Sequence, residues 1–328
     1  MFDSRKFFNM ENIIQAVLQY ENKPSFVSDY DSAKHHVNRW LDQFDDKYKE
    51  SIIAVMDALF EKSFITRDGF KKMCINRIFD KNLTRNNPAK YWSETFILDC
   101  QLQGESQTEM VKILKEALKE QNISFCENEN DAENLLYIDD MAFTFGRITQ
   151  DLKPYKDKKI DVLPIISHSY NDYYFRNKGL GTSVNINTWH CIMLENRVAY
   201  KNNSQVFWPH VDSLGNREFQ RAFNVFNCRK EGLRDVDESY DVFSDPLARK
   251  LCEEAFFIKG AIVLVSLADR KNFKPLGISP FKDSWGFGGS VFSYRNCPNT
   301  TPIVIWWGDY YDSHALWYPL MLRKGYNQ

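Results

Sequence analysis

The chain has 328 residues with a formal net charge of −2 at pH 7, and 43% of them are hydrophobic and 15% aromatic. That is ample apolar material for one large domain or two small ones, and the near-neutral balance argues against bulk electrostatic attraction to nucleic acid. No apolar run reaches the length of a bilayer-spanning helix, and the start Met1-Phe2-Asp3-Ser4-Arg5-Lys6 lacks the apolar core of a signal peptide, so a cytoplasmic protein with no membrane attachment is expected.

Residues 1–92 read as a helical N-terminal region. Val37, Leu41, Phe44 and Tyr48 recur at helical spacing, and Ile52, Val55, Met56, Leu59 and Phe60 continue the pattern past Lys49-Glu50. Thr66-Arg67-Asp68-Gly69 is a break, with Thr66 or Asp68 available to cap a helix carrying Phe70, Met73, Ile75 and Ile78. Arg67, Lys71, Lys72, Arg77, Lys81 and Arg85 on this stretch carry no interleaved aromatic platform for bases, which favours a solvated helix face over a nucleic-acid contact.

Alternating β and α signals begin at residue 93. Thr95 to Leu98 suits a strand, Gln103 to Ser106 a loop, and Glu109 to Leu118 an amphipathic helix with Met110, Ile113, Leu114 and Ala117 on one side. A polar connector leads to the apolar run Leu135-Leu136-Tyr137-Ile138, and a helix from Gly146 leads to a third strand at Ile160 to Ile166, followed by Ser167-His168-Ser169. Strands alternating with helices predict a parallel sheet.

From Asn177 to Asp245 polar and aromatic residues mix without a sustained period, and an inserted cap or hood around His190, Trp208 and His210 is expected. Those two histidines lack an attending carboxylate cluster, so no metal site is assigned. Seven cysteines, at 74, 100, 126, 191, 228, 252 and 297, include no Cys-x-x-Cys pair and read as buried thiols. Pro246 to Phe257 fits a helix, Ala261 to Leu267 a buried strand, and Ser290 to Tyr294 and Ile303 to Trp307 further strands. The glycines of Asp283 to Ser290 lack the spacing of a nucleotide fingerprint and read as a tight connection, the alternative being a flexible loop that covers a ligand.

The stretch with chemistry is Leu135 to Arg147. An apolar strand in a parallel sheet ends at the carboxyl edge, where ligands bind in open α/β folds, so Asp139 and Asp140 after it are placed to grip ribose hydroxyls. The turn Thr144-Phe145-Gly146-Arg147 leads into a helix, and its backbone amides form a concave anion site. The alternative is a structural turn with no ligand.

The same residues resemble the PRPP (phosphoribosyl diphosphate) signature of type I phosphoribosyltransferases, a strand, two acids and Thr-Gly-x-Thr. Asp139, Asp140 and Thr144 match it, while Phe145 stands at the first Gly and Arg147 at the last Thr. Together with Trp40 to Phe44, Phe96 to Met110 and Pro298 to Trp306 in that order, the chain from roughly residue 35 to 307 resembles the phosphoribosyltransferase-like effector family (PRTase-CE type) of bacterial conflict systems such as retrons. The family's Gly-Lys-Ser-Gly segment reads Gly104-Glu105-Ser106-Gln107 here.

The resemblance implies an α/β fold with the Rossmann-like parallel sheet of type I phosphoribosyltransferases, a helical N-terminal lead-in and an inserted hood. Residues 93–328 would form the phosphoribosyltransferase-like domain, with the hood at roughly 177–245. It implies Asp139 and Asp140 as catalytic groups and Thr144, Phe145, Gly146, Arg147, Gly104, Glu105 and Ser106 as ligand-binding residues, with Mg2+ accompanying a PRPP- or nucleotide-like ligand. His168, at the end of the third strand and one strand along from the aspartates, is placed to bind at the same cleft, its alternative being a structural histidine. The implied role is a pentosyl transferase or nucleotide-consuming effector in anti-phage defence, partnered by a reverse transcriptase with its RNA and DNA and by other defence-operon proteins. The alternative is an inactive regulatory or assembly module binding that same complex.

Overall fold

The computed structural model describes residues 9–101, 106–155, 158–178, 186–236, 242–267, 272–279 and 283–323. The chain divides into two compact units, one of Met1–Thr66 with Asn196–Gln328 and one of Arg67–Glu195. Among the described residues, no helix is long and apolar enough to cross a membrane. The cysteines are unbridged.

The first unit opens with α1 (Glu11–Gln19), α2 (Tyr30–Leu41), α3 (Asp46–Ser63) and β1 (Phe64–Ile65). The helical spacing seen from Val37 to Phe60 is split, because α2 stops at Leu41 and the chain at Asp45 is extended before α3 begins. Asp29 starts α2 with a reciprocal cap, its carboxylate accepting the Ser32 N–H at 2.8 Å while Ser32 Oγ accepts the Asp29 N–H at 3.0 Å.

The second unit carries the sheet. Its elements are α4 (Arg67–Ile78), α5 (Pro88–Ser93), β2 (Thr95–Leu98), α6 (Ser106–Glu120), β3 (Asn134–Ala142), α7 (Gly146–Asp151), β4 (Ile160–His168), α8 (Ser169–Lys178), β5 (Ile186–Thr188) and β6 (Ile192–Leu194). The strands run in the order β2-β3-β4-β5, with β6 also on β4, and every pairing is parallel. β4 is buried along its whole length, as a strand covered on both faces must be. This is the mixed α/β, Rossmann-like architecture expected, with the sheet flanked by helices.

Buried polar groups lock this unit. Asp161 on β4 accepts Tyr91 Oη at 2.8 Å, Asn187 Nδ2 at 3.1 Å and Trp189 Nε1 at 3.0 Å, tying α5 and the β5 edge to the sheet. Two basic residues of α4 pair with acids of α6. Arg67 pairs with Glu109 and Glu116, and Lys71 with Glu120, so the face reads as an ion-paired seam with α6.

The chain then returns to the first unit through α9 (Arg217–Val225), α10 (Pro246–Val265), β7 (Phe273–Lys274), β8 (Gly277–Ile278), β9 (Phe292–Ser293) and α11 (Ile303–Trp306). Two expected strands are helical. Ala261 to Val265 is the last part of α10, which Asp245 caps through the Ala248 N–H at 2.9 Å with Pro246 in its first turn. A helix already nucleated that firmly propagates through an apolar run that local sequence alone assigns equally well to a strand. Ile303 to Trp306 forms a single turn after Pro302, and the Trp306 indole donates to Thr301 O at 3.0 Å. Of the expected Ser290 to Tyr294 strand, only Phe292–Ser293 pairs, with β1.

The core of the first unit joins α2, α10 and the C-terminal segment. Trp40 and Trp317 both donate to Val304 O, at 2.8 and 2.7 Å. Glu253 sits fully buried between two fully buried arginines, Arg234 and Arg249, each 2.8 Å away. Arg249 also donates to Ser204 O at 3.1 Å and Val206 O at 2.8 Å, anchoring that segment to α10. Such a network fixes one arrangement, since displacing any member strands a charge in the interior.

Candidate functional site

β2 pairs with β3 only as far as Leu98 opposite Tyr137, whereas pairing with β4 continues to Ala142 opposite Ser167. The strand therefore runs through the carboxylates rather than ending before them, which corrects the expectation that Asp139 and Asp140 follow it. Where β2 stops, the backbone needs other partners. The Asp140 N–H donates to Asp139 Oδ1 at 2.9 Å, and the Met141 N–H donates to Asp140 Oδ1 at 2.7 Å. Both carboxylates are held near the carboxyl end of β3, at 4% and 6% exposure.

The loop that follows keeps the register of the signature in an unexpected way. Phe145, at the position of the motif's first glycine, adopts φ 56° and ψ 2°, the left-handed conformation. For a residue with a Cβ this costs about 1–2 kcal/mol. Packing holds it there: the ring is buried and stacks on Phe175 of α8 with centroids 4.7 Å apart. Its carbonyl accepts the Thr149 N–H at 2.9 Å and the Thr149 hydroxyl at 2.8 Å. Gly146 does not supply the turn's freedom, since its φ is not positive and an added Cβ meets only Thr144 Oγ1 at 3.7 Å. Thr144, Gly146 and Arg147 are exposed.

Ser106 begins α6, and its hydroxyl donates to Asp139 Oδ1 at 2.9 Å. Its neighbour Gln107 bonds back to the residues after β2. Gln107 Oε1 accepts the Cys100 and Gln101 N–H groups at 2.9 and 2.7 Å, while Gln101 Oε1 accepts the Gln107 N–H at 3.2 Å. Gly104 and Glu105 lie outside the described residues. His168 ends β4, one position beyond the Ala142–Ser167 pair, and its ring lies 4.3 Å from that of Phe143. Complete burial pushes its imidazole down to about 3, so it is neutral in the physiological range.

The structure thus brings Asp139, Asp140 and Ser106 together, with Thr144 and Phe145 on the loop directly beyond, Gly146 and Arg147 opening α7, and His168 beside Phe143. Sequence reasoning missed Gln101, Gln107 and Phe175. The two glutamines sit in no recognisable spacing, and Phe175 stands among the tyrosines of α8 with nothing to mark it as the support of Phe145. His190 lies in the second unit, and Trp208 and His210 in the first. Among the described residues, no group of three or more His, Cys, Asp or Glu is placed to hold a metal ion by itself.

Burial, and then the neighbouring Asp140 charge, raise the Asp139 pKa well above its ordinary value, against the opposing pull of Ser106 and the Asp140 N–H. The sign of the consequence follows from linkage. Above the unfolded pKa the native state holds the proton longer than the unfolded chain does, so stability contributed by protonated Asp139 is present at low pH and is lost as pH rises through the raised value. Asp139→Asn keeps an acceptor for both donors and removes that penalty. Melting curves across pH should show the variant matching wild type in acid and exceeding it at neutral pH. A variant that melts lower at neutral pH would contradict this assignment.

The PRTase-CE family model matches residues 37–323, a span that takes in the sheet, the carboxylate pair and the loop beyond it. No curated protein and no solved structure gives a significant match to the chain. On the family match over most of its length, the chain belongs to the PRTase-CE family and is a phosphoribosyltransferase-like effector.

Proposed function

We propose that the chain is the effector component of a retron-type anti-phage system, acting in the cytoplasm, and that it binds or processes a PRPP- or nucleotide-like ligand at the carboxyl end of β3. The observation that carries this reading is the juxtaposition of the buried Asp139–Asp140 pair with a left-handed turn at Phe145, immediately downstream. Strain of that kind concentrates where a loop must hold a set shape for a ligand. In this reading Asp139 and Asp140 hold ribose hydroxyls or stabilise an oxocarbenium-like centre, the amides of the Thr144 to Arg147 turn receive the 5-phosphate, and the Gly104 to Ser106 segment faces the diphosphate. His168 backs the loop through Phe143.

Two adjacent carboxylates suit magnesium, which is commonly held by one or two carboxylates together with substrate phosphates. Asp139 and Asp140 would supply those oxygens. Magnesium, when bound, neutralises the diphosphate. The partners proposed are a reverse transcriptase with its RNA and DNA and the other proteins of the operon. A second reading, an inactive assembly module for that complex, draws on Phe145 in place of glycine and on Asp139 being engaged by Ser106.

The test is thermal stabilisation by PRPP and by nucleoside phosphates, with and without magnesium, alongside release of pyrophosphate. A ligand at a hundred times its dissociation constant stabilises by about 2.7 kcal/mol. Stabilisation with pyrophosphate release supports an enzyme, stabilisation alone supports the module, and neither sinks the site.

Arg147 is exposed, and its guanidinium is suited to a bidentate phosphate contact. Calorimetric titration with PRPP should give a dissociation constant raised about tenfold in Arg147→Ala and by less in Arg147→Lys, with melting temperatures unchanged. Wild-type affinity in both variants would remove Arg147 from the site.

A further inference from the structure

The first unit contains a cavity of about 200 Å³, remote in sequence from the carboxylate pair, lined by Arg39, Gln43, Asp309, Asp312, Ser313, Ala315, Trp317 and Tyr318. Its walls are fixed. The Gln43 amide and the Tyr318 backbone bond reciprocally, Nε2 to the carbonyl at 2.8 Å and the N–H to Oε1 at 2.7 Å. His36 Nε2 faces Leu320 O at 2.8 Å and must therefore donate to it, which leaves Nδ1 to accept the Tyr318 hydroxyl.

The charges in the cavity are not satisfied by one another. The Arg39 guanidinium lies 3.9 Å over the Tyr318 ring and has no carboxylate within salt-bridge distance among the described residues. Asp309 uses Oδ1 to accept the Tyr311 and Asp312 N–H groups, at 2.7 and 3.2 Å, and Asp312 uses Oδ1 to accept the His314 N–H at 2.8 Å. Each bond shapes the loop through one oxygen, and neither carboxylate has a cationic partner among the described residues. A stacked guanidinium and two carboxylates line the same small space.

We propose that this cavity is a binding site for a small zwitterion of the α-amino acid class, Arg39 receiving the carboxylate and Asp309 and Asp312 the ammonium group. The size is in keeping with that class. At about 200 Å³ the cavity has room for a small polar molecule such as an amino acid. Arg39 and Asp312 are exposed and Asp309 half-buried, so a ligand of one sign would leave the opposite charge to solvent, whereas a zwitterion meets both.

The experiment is calorimetric titration of the full chain with L-alanine, L-lysine and L-phenylalanine, with L-alaninamide, which lacks the carboxylate, and propionate, which lacks the ammonium group, as controls. At least one amino acid should bind, the single-charge controls about tenfold or more weakly, and Arg39→Gln should lower affinity by a similar factor. The double variant Asp309→Asn, Asp312→Asn keeps the Oδ1 acceptors that shape the loop and should also lose binding. No heat with any of the three amino acids, controls binding as well as their parents, or variants with unchanged affinity would each overturn the proposal.

Discussion

Replacing Asp139 and Asp140 together by asparagine should abolish stabilisation by PRPP and magnesium, and the effector activity with it, while leaving the chain folded. The structural cost is small because both side chains accept the hydrogen bonds that tie them to Ser106 and the strand backbone. Ser106 and two backbone N–H groups donate to their Oδ1 atoms, and asparagine presents the same oxygen. What asparagine lacks is charge, and with it the ability to hold a cation or to stabilise positive character at a sugar carbon. The measurement is melting temperature of wild type and the double variant with and without PRPP and magnesium. Equal ligand-induced shifts would refute a role for the pair, and a collapsed melting temperature without ligand would assign it to the fold.

Phe145→Ala should be the most destabilising single change in the loop, by about 3–5 kcal/mol, because it deletes a buried ring while the left-handed backbone still carries a Cβ. Phe145→Gly loses the same ring but relieves the backbone. The two variants should therefore differ by about 1–2 kcal/mol in favour of glycine, a difference that isolates the conformational cost from the packing. Denaturant unfolding of wild type and both variants reads this directly. Alanine and glycine of equal stability would mean that the turn relaxes out of the left-handed region once the ring is gone.

Much of the second unit was legible because its signals are local. Thr95 to Leu98, the strand from Ile160 and the helix through Met110 to Leu118 each follow from a short apolar run or a helical stripe bounded by polar residues. The apolar run at Ala261 was misread because nothing within it distinguishes a strand from the end of a helix begun at Pro246. At the candidate site the acids were legible and their surroundings were not. The strand's extension to Ala142 depends on β4 beside it, the left-handed Phe145 on Phe175 behind it, and the engagement of Asp139 on a serine from another element. These are contacts between distant positions, and no periodicity in the sequence encodes them. A phenylalanine at that position disfavours a left-handed turn on local grounds, and tertiary packing supplies the conformation that glycine would otherwise provide.

The most direct test of a phosphoribosyl ligand at this edge is amide hydrogen exchange across Asp139 to Arg147, with and without PRPP and magnesium. Amides that receive a phosphate, and a strand end whose carboxylates hold ribose, should exchange more slowly in the complex, with protection centred on Phe145 to Arg147. Unchanged exchange in this segment at a PRPP concentration that stabilises the protein would contradict the assignment and place the ligand elsewhere.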